Sequence, residues 1–141
     1  MAYRLTPVNL TLATDVTHQC SLHRTRDQHL IGILAFSKPH DSELTWADIE
    51  YCRRRIDEFS VMPFPECISA LIIDIQDIPL LIDDDIALTP WRLLEEECSI
   101  RLVVAAEHLA YYVGIFEPTW LCTDTDTAIK EIREFMDMFV H

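Results

Sequence analysis

Five aspartates, Asp74, Asp77, Asp83, Asp84 and Asp85, crowd the stretch 69–89, SALIIDIQDIPLLIDDDIALT. Clustered carboxylate oxygens are what a hard divalent cation seeks, so this is the first place to look for chemistry. The ligand patterns that would specify such a site are missing: there is no EF-hand loop with its glycine and no P-loop. A simpler role is available, since aspartates ahead of a helical pattern cap it and favour the positive end of its dipole. Capping is the commoner use, and no metal or other cofactor is expected.

Nucleophilic chemistry has weaker support. Cys20, Cys52, Cys67, Cys98 and Cys122 are odd in number and lie far apart, with no CxxC pair. Reduced, buried thiols in a cytoplasmic protein account for them. His18, His23, His29, His40, His108 and His141 are scattered, and neither Cys67 nor Cys122 sits in a recognisable Cys/His signature or nucleophile elbow. With only Gly32 and Gly114 in the chain, no glycine-rich loop exists to cradle a phosphate. The sequence therefore reads as non-catalytic, with a small enzyme or metal-dependent protein built on Asp74, Asp77 and Asp83 to Asp85 as the alternative.

Composition narrows the partners. The chain has 141 residues, 24 acidic against 11 basic, and a net charge of −13. Such a surface repels nucleic acid and anionic lipid. No segment approaches the ~18 apolar residues of a membrane span, and the N-terminus lacks the apolar core of a signal peptide. A cytoplasmic protein with a protein partner is expected, and a homo-oligomer is left open. Half of the residues are hydrophobic and the mean hydropathy is +0.10, sufficient for one globular domain over 1–141.

The elements that must position these residues follow from periodicity. Residues 70–75 form a continuous apolar, β-branched run, predicting a central strand with Asp74 and Asp77 at its far end. Upstream, Val8, Leu10 and Leu12 alternate with polar or small neighbours as in a short strand, within a segment 1–19 read as an extension or an extra strand. Residues 20–24 and 29–36 predict two further strands joined by a turn at Thr25, Arg26, Asp27 and Gln28. Thr45 and Asp48 make a capping box with the shorter carboxylate, opening a helix over 46–59 whose buried stripe is Trp46, Ile49, Cys52, Ile56 and Phe59. The run Arg53, Arg54 and Arg55, flanked by acids, reads as solvated surface.

After the acidic triplet, Thr89 and Pro90 predict a helix start leading into 91–98. Residues 100–106 predict a strand, 107–116 a short helix, and 120–122 a short strand. The last helix runs over 125–140, with Ala128, Ile129, Ile132, Phe135, Met136 and Phe139 as its apolar stripe. The order predicts an α/β domain: a central mixed sheet of four to five strands with helices packed on it.

With that order in place, the chain from about residue 20 onward resembles the STAS domains, the anti-sigma-factor antagonist family. The resemblance is carried by LIIDIQDI, by an acidic residue opening the next helix, by RLVVAA before a short helix, and by TDTDTAIKEI leading into a final helix. It implies a non-catalytic interaction module that binds a regulatory protein or a related domain. In that family a serine in the turn after the central strand is phosphorylated to break a complex, and its position falls on Asp83, with Asp84 and Asp85 following. The triplet offers no hydroxyl, and a carboxylate carries about one charge where phosphoserine carries about two. The resemblance thus implies a partner surface at Asp83, Asp84, Asp85 and Ile86 without the serine switch.

Overall fold

The computed structural model describes residues 2–39, 43–61, 68–79, 99–116 and 118–138. Strands β1 (Thr17–Arg24) and β2 (Leu30–Ser37) lead into helix α1 (Trp46–Ser60), strand β3 (Ala70–Asp77) and strand β4 (Ser99–Val103). A 3₁₀ turn at Ala106–His108 precedes helix α2 (Leu109–Val113), and a second at Pro118–Trp120 precedes strand β5 (Leu121–Cys122) and helix α3 (Thr125–Asp137). The strands form one five-stranded sheet in the order β1-β2-β3-β4-β5. β1 and β2 are antiparallel, and β2 to β5 run parallel. This is the expected mixed α/β sheet with β3 at its centre.

The one-way order has a physical consequence. Right-handed crossovers between parallel strands that advance in one direction put their helices on a single face. Ile49, Cys52, Ile56 and Phe59 of α1 and Tyr112 of α2 accordingly share one core with Leu34, Leu71, Ile73 and Leu102. Helix α3 follows the last strand and is free to take the opposite face. Its Ala128 and Ile132 bury against Ile31, Ala70, Ile72 and Val103. β3 is covered on both faces, which is why its run is continuously apolar rather than alternating.

Local chemistry sets the boundaries. Thr45 caps α1 with its side chain on the Asp48 N–H, while the Asp48 carboxylate returns to the Thr45 N–H, so the expected capping box is complete. Asp124 caps α3 by accepting from the Thr127 N–H at 2.7 Å. The hairpin turn closes through the Thr25 N–H to the His29 carbonyl at 2.9 Å, with Gln28 at φ +68°. Phe59 packs so closely on β2 that a Cβ at Gly32 would stand 2.7 Å from its ring, so the approach of α1 requires glycine there.

Several expectations are corrected. Val8 and Leu10 belong to no strand and are 74% and 93% exposed. Trp46 is 63% exposed and lies outside the buried stripe of α1, which begins with Asp48 and Ile49. β4 ends at Val103, although the Val104 N–H still reaches the Cys122 carbonyl at 2.9 Å. The expected helix after Thr89 and Pro90, the residue Phe139, and the whole of Asp83, Asp84, Asp85 and Ile86 lie outside the described residues.

Candidate functional site

In parallel α/β sheets the C-terminal strand ends gather chain turns and exposed polar groups, and ligands dock there. At the ends of β2 and β3 the register carries Ala35 opposite Asp74, and then Ser37 opposite Asp77. One extra residue on β3 makes a bulge. Simple alternation would send Asp74 and Asp77 to opposite faces of the sheet, three positions apart. The bulge turns both toward one open cleft of about 490 Å³, lined also by Thr17, Gln19, Ser37 and Gln76. Helix α3 packs over β3, β4 and β5. The cleft lies beside that contact, over β1 and β2.

Both carboxylates are oriented by neighbours. The Ser37 hydroxyl donates to Asp77 Oδ2 at 2.5 Å, and the Lys38 N–H donates to the Asp77 carbonyl at 3.0 Å. Asp74 Oδ1 accepts from the Gln76 backbone N–H at 3.0 Å and from its side-chain amide at 3.1 Å. Asp77 is exposed and Asp74 half-buried. The cleft therefore presents acceptor oxygens held in place on an acidic surface. What such a surface can do chemically is receive a cation or a cationic side chain.

One residue beyond the end of β2, on the opposite face, the Lys38 ammonium is buried between two carboxylates. It pairs with Asp48 at 2.9 Å and with Asp15. Asp48 is also bound by the Thr14 hydroxyl at 2.6 Å and the Thr45 N–H at 2.8 Å. Burial pushes the Asp48 carboxyl up, but the bonds from Thr14, Lys38 and Thr45 outweigh it and hold it below the usual carboxylate range. The hydrogen bonds to Asp15 and Asp48 push Lys38 up, so the ammonium stays charged. This lock fastens the N-terminal segment to the start of α1 and holds the end of β2 in place. Sequence reasoning overlooked Lys38 and Asp15. The one legible sign is a lysine two positions beyond Phe36, where the apolar run ends.

Cys67, Cys98, His40 and His141 lie outside the described residues, and several of the other candidates have local partners or are buried. Burial pushes the Cys52 thiol up to about 12 and Cys122 up to about 11, and it raises Cys20 as well, which leaves these sulfurs protonated and poor nucleophiles. His18 is hydrogen-bonded to the Tyr51 hydroxyl. Arg53 and Arg54 pair with Glu50, whereas Arg55 pairs with Glu58 and lies 5.3 Å over the Tyr51 ring. Among the described residues no three His, Cys, Asp or Glu side chains converge as metal ligands, and no helix is long and apolar enough to cross a membrane. No protein-family model, curated protein or solved structure matches the chain.

Proposed function

We propose that this chain is a non-catalytic interaction module of the STAS kind, which binds a basic-faced regulatory protein at the C-terminal end of β3. The observation that carries the proposal is the pair Asp74 and Asp77, turned by the bulge into one open cleft and held there by Gln76 and Ser37. Asp83, Asp84, Asp85 and Ile86 follow within a few residues in the sequence and add three acidic groups to this part of the chain. The general α/β class, a five-stranded mixed sheet with helices packed on it, is compatible with this reading without singling it out. Fold likeness alone does not assign function, so the weight rests on the cleft.

An acidic dock matched by basic side chains accelerates encounter and loses that advantage as salt screens it. The serine switch of the family has no hydroxyl to act on at Asp83, and binding is constitutive. The test is capture of partners from the native host by the full chain, followed by kinetics with the purified partner. Asp74→Asn/Asp77→Asn and Asp83→Ser/Asp84→Ser variants should each weaken binding by about ten-fold, with an association rate less sensitive to salt than that of the parent. Unchanged affinity and salt dependence in both variants would remove this end of the sheet from the interface. A rise of several degrees in the melting midpoint with Mg²⁺ or Ca²⁺ would instead favour the metal-dependent alternative.

A further inference from the structure

We propose that the N-terminal arm, residues 2–13, docks on a second copy of this chain and adds a strand to the outer edge of that copy's β1. Two unsatisfied features lie close together in the sequence. The first is the edge. β1 is the terminal strand of the sheet, pairs with β2 over all eight of its positions without a bulge, and contains no proline or lysine. Natural sheets blunt long edges with such devices, because the outer row of N–H and C=O groups is a template for another strand. Seven of the eight β1 residues are exposed, and His23 is half-buried.

The second feature is the arm. Tyr3, Leu5, Val8 and Leu10 are 92%, 87%, 74% and 93% exposed, and Val8, Leu10 and Leu12 keep the two-residue period of a strand. Among the described residues the arm's one backbone bond is the short contact of the Thr14 N–H with the Leu12 carbonyl. The arm leaves the body at a defined point, since Val16 is buried and Thr14 and Asp15 are tied to Asp48 and Lys38. Twelve extended residues span ~40 Å, about the width of a domain of this size. That is enough to cross onto a neighbour.

Charge selects the occupant. Two copies at −13 each repel one another, so self-association needs a contact surface poor in acids. Asp15 is the one acidic residue in the first 24 positions, which also carry Arg4 and Arg24, while the other 23 acids lie beyond. Arm and edge strand together form the stretch on which copies meet without apposing carboxylates, and Arg4 would face the acidic body of the neighbour. A strand added to the edge supplies main-chain hydrogen bonds, and the alternate apolar side chains supply the contact. The exchange is reciprocal, as a two-fold dimer requires.

The test uses the full chain in light scattering over roughly a hundred-fold range of concentration, where mass action must show the equilibrium. The expected mass rises from 16.4 kDa to twice that value. Val8→Asp/Leu10→Asp should weaken the dimer by at least about ten-fold, and Val8→Ser/Leu10→Ser, which adds no charge, should weaken it in the same direction. Both sites are exposed, so the melting midpoint of the monomer should not move. Hydrogen exchange should show amides of the arm and of β1 gaining protection as concentration rises. A mass fixed at 16.4 kDa would overturn the proposal. So would a dimer indifferent to both variants, or arm protection that does not vary with concentration, which would place the arm on its own chain.

Discussion

Two aspartate clusters meet the end of β2 from opposite faces of the sheet. On the α1 face, Asp48 and Asp15 close around Lys38, and both Asp48 and Lys38 are almost wholly buried. On the other face, Asp74 and Asp77 line an open cleft, where Asp74 accepts from Gln76 and Asp77 accepts from the Ser37 hydroxyl. The residue types are the same, and what differs is how far each site is withdrawn from water. A buried carboxylate needs a cation beside it, and once it has one its chemistry is spent on holding the chain together. A carboxylate that lines an open cleft stays within reach of solvent and of a visiting cationic group.

The harshest way to test that contrast is to bury a carboxylate with no cation. Ile73 has no exposed surface and sits in the α1-side core. Ile73→Asp should unfold the domain, a loss exceeding about 5 kcal/mol, read as absence of a cooperative melting transition in circular dichroism. A native melting midpoint in this variant would contradict the placement of β3 at the centre of the sheet.

Opening the closed cluster is the next largest change. Asp48→Ala removes the capping box and one partner of Lys38, and should cost roughly 3 kcal/mol, or about 10 °C in melting midpoint. The pH dependence has a definite sign. Asp48 and Asp15 titrate below their ordinary value, so their contribution is fully present above about pH 4 and is lost as pH falls through the folded-state values. Lys38 titrates above its ordinary value of 10.5, so its contribution is present below that pH and is lost as pH rises through the raised value. Asp48→Asn should therefore flatten the acid limb of the stability profile measured by denaturant titration, and leave the neutral plateau lower. An acid limb of unchanged slope would mean that other carboxylates dominate it.

The open cluster should barely register in stability. Asp74→Asn/Asp77→Asn replaces one exposed and one half-buried acceptor, and should change stability by less than about 1 kcal/mol in a denaturant titration. Its effect belongs to binding. A loss as large as that of Asp48→Ala would erase the distinction between a structural cluster and an available one.

The two clusters were unequally legible. Asp48 was readable as part of a capping box, because a cap is a contact across three residues and needs only local geometry. Its pairing with Lys38 and Thr14 was not, since those bonds join segments brought together by the sheet. Asp74 and Asp77 were recognised as lying at a strand end, but a strict period of two assigns them to opposite faces. The bulge that reunites them is a mismatch between two strands, and neither strand encodes it alone. The N-terminal alternation of Val8, Leu10 and Leu12 predicts a short strand within an extension or an extra strand, yet period specifies only which side chains share a face, not whether a neighbour will supply hydrogen bonds.

Local periodicity and capping chemistry by themselves determined the two helical stripes, Ile49 to Phe59 on α1 and Ala128 to Ile132 on α3, and the continuously apolar central strand. Those signals act within a turn of helix or along one strand, so they survive without the rest of the molecule. Tertiary structure alone decided which face each helix covers, where β3 carries its extra residue, and which carboxylates meet Lys38. These are set by strand order, by the handedness of crossovers and by the exclusion of water from one cluster and not the other, and each requires segments distant in sequence to be in contact.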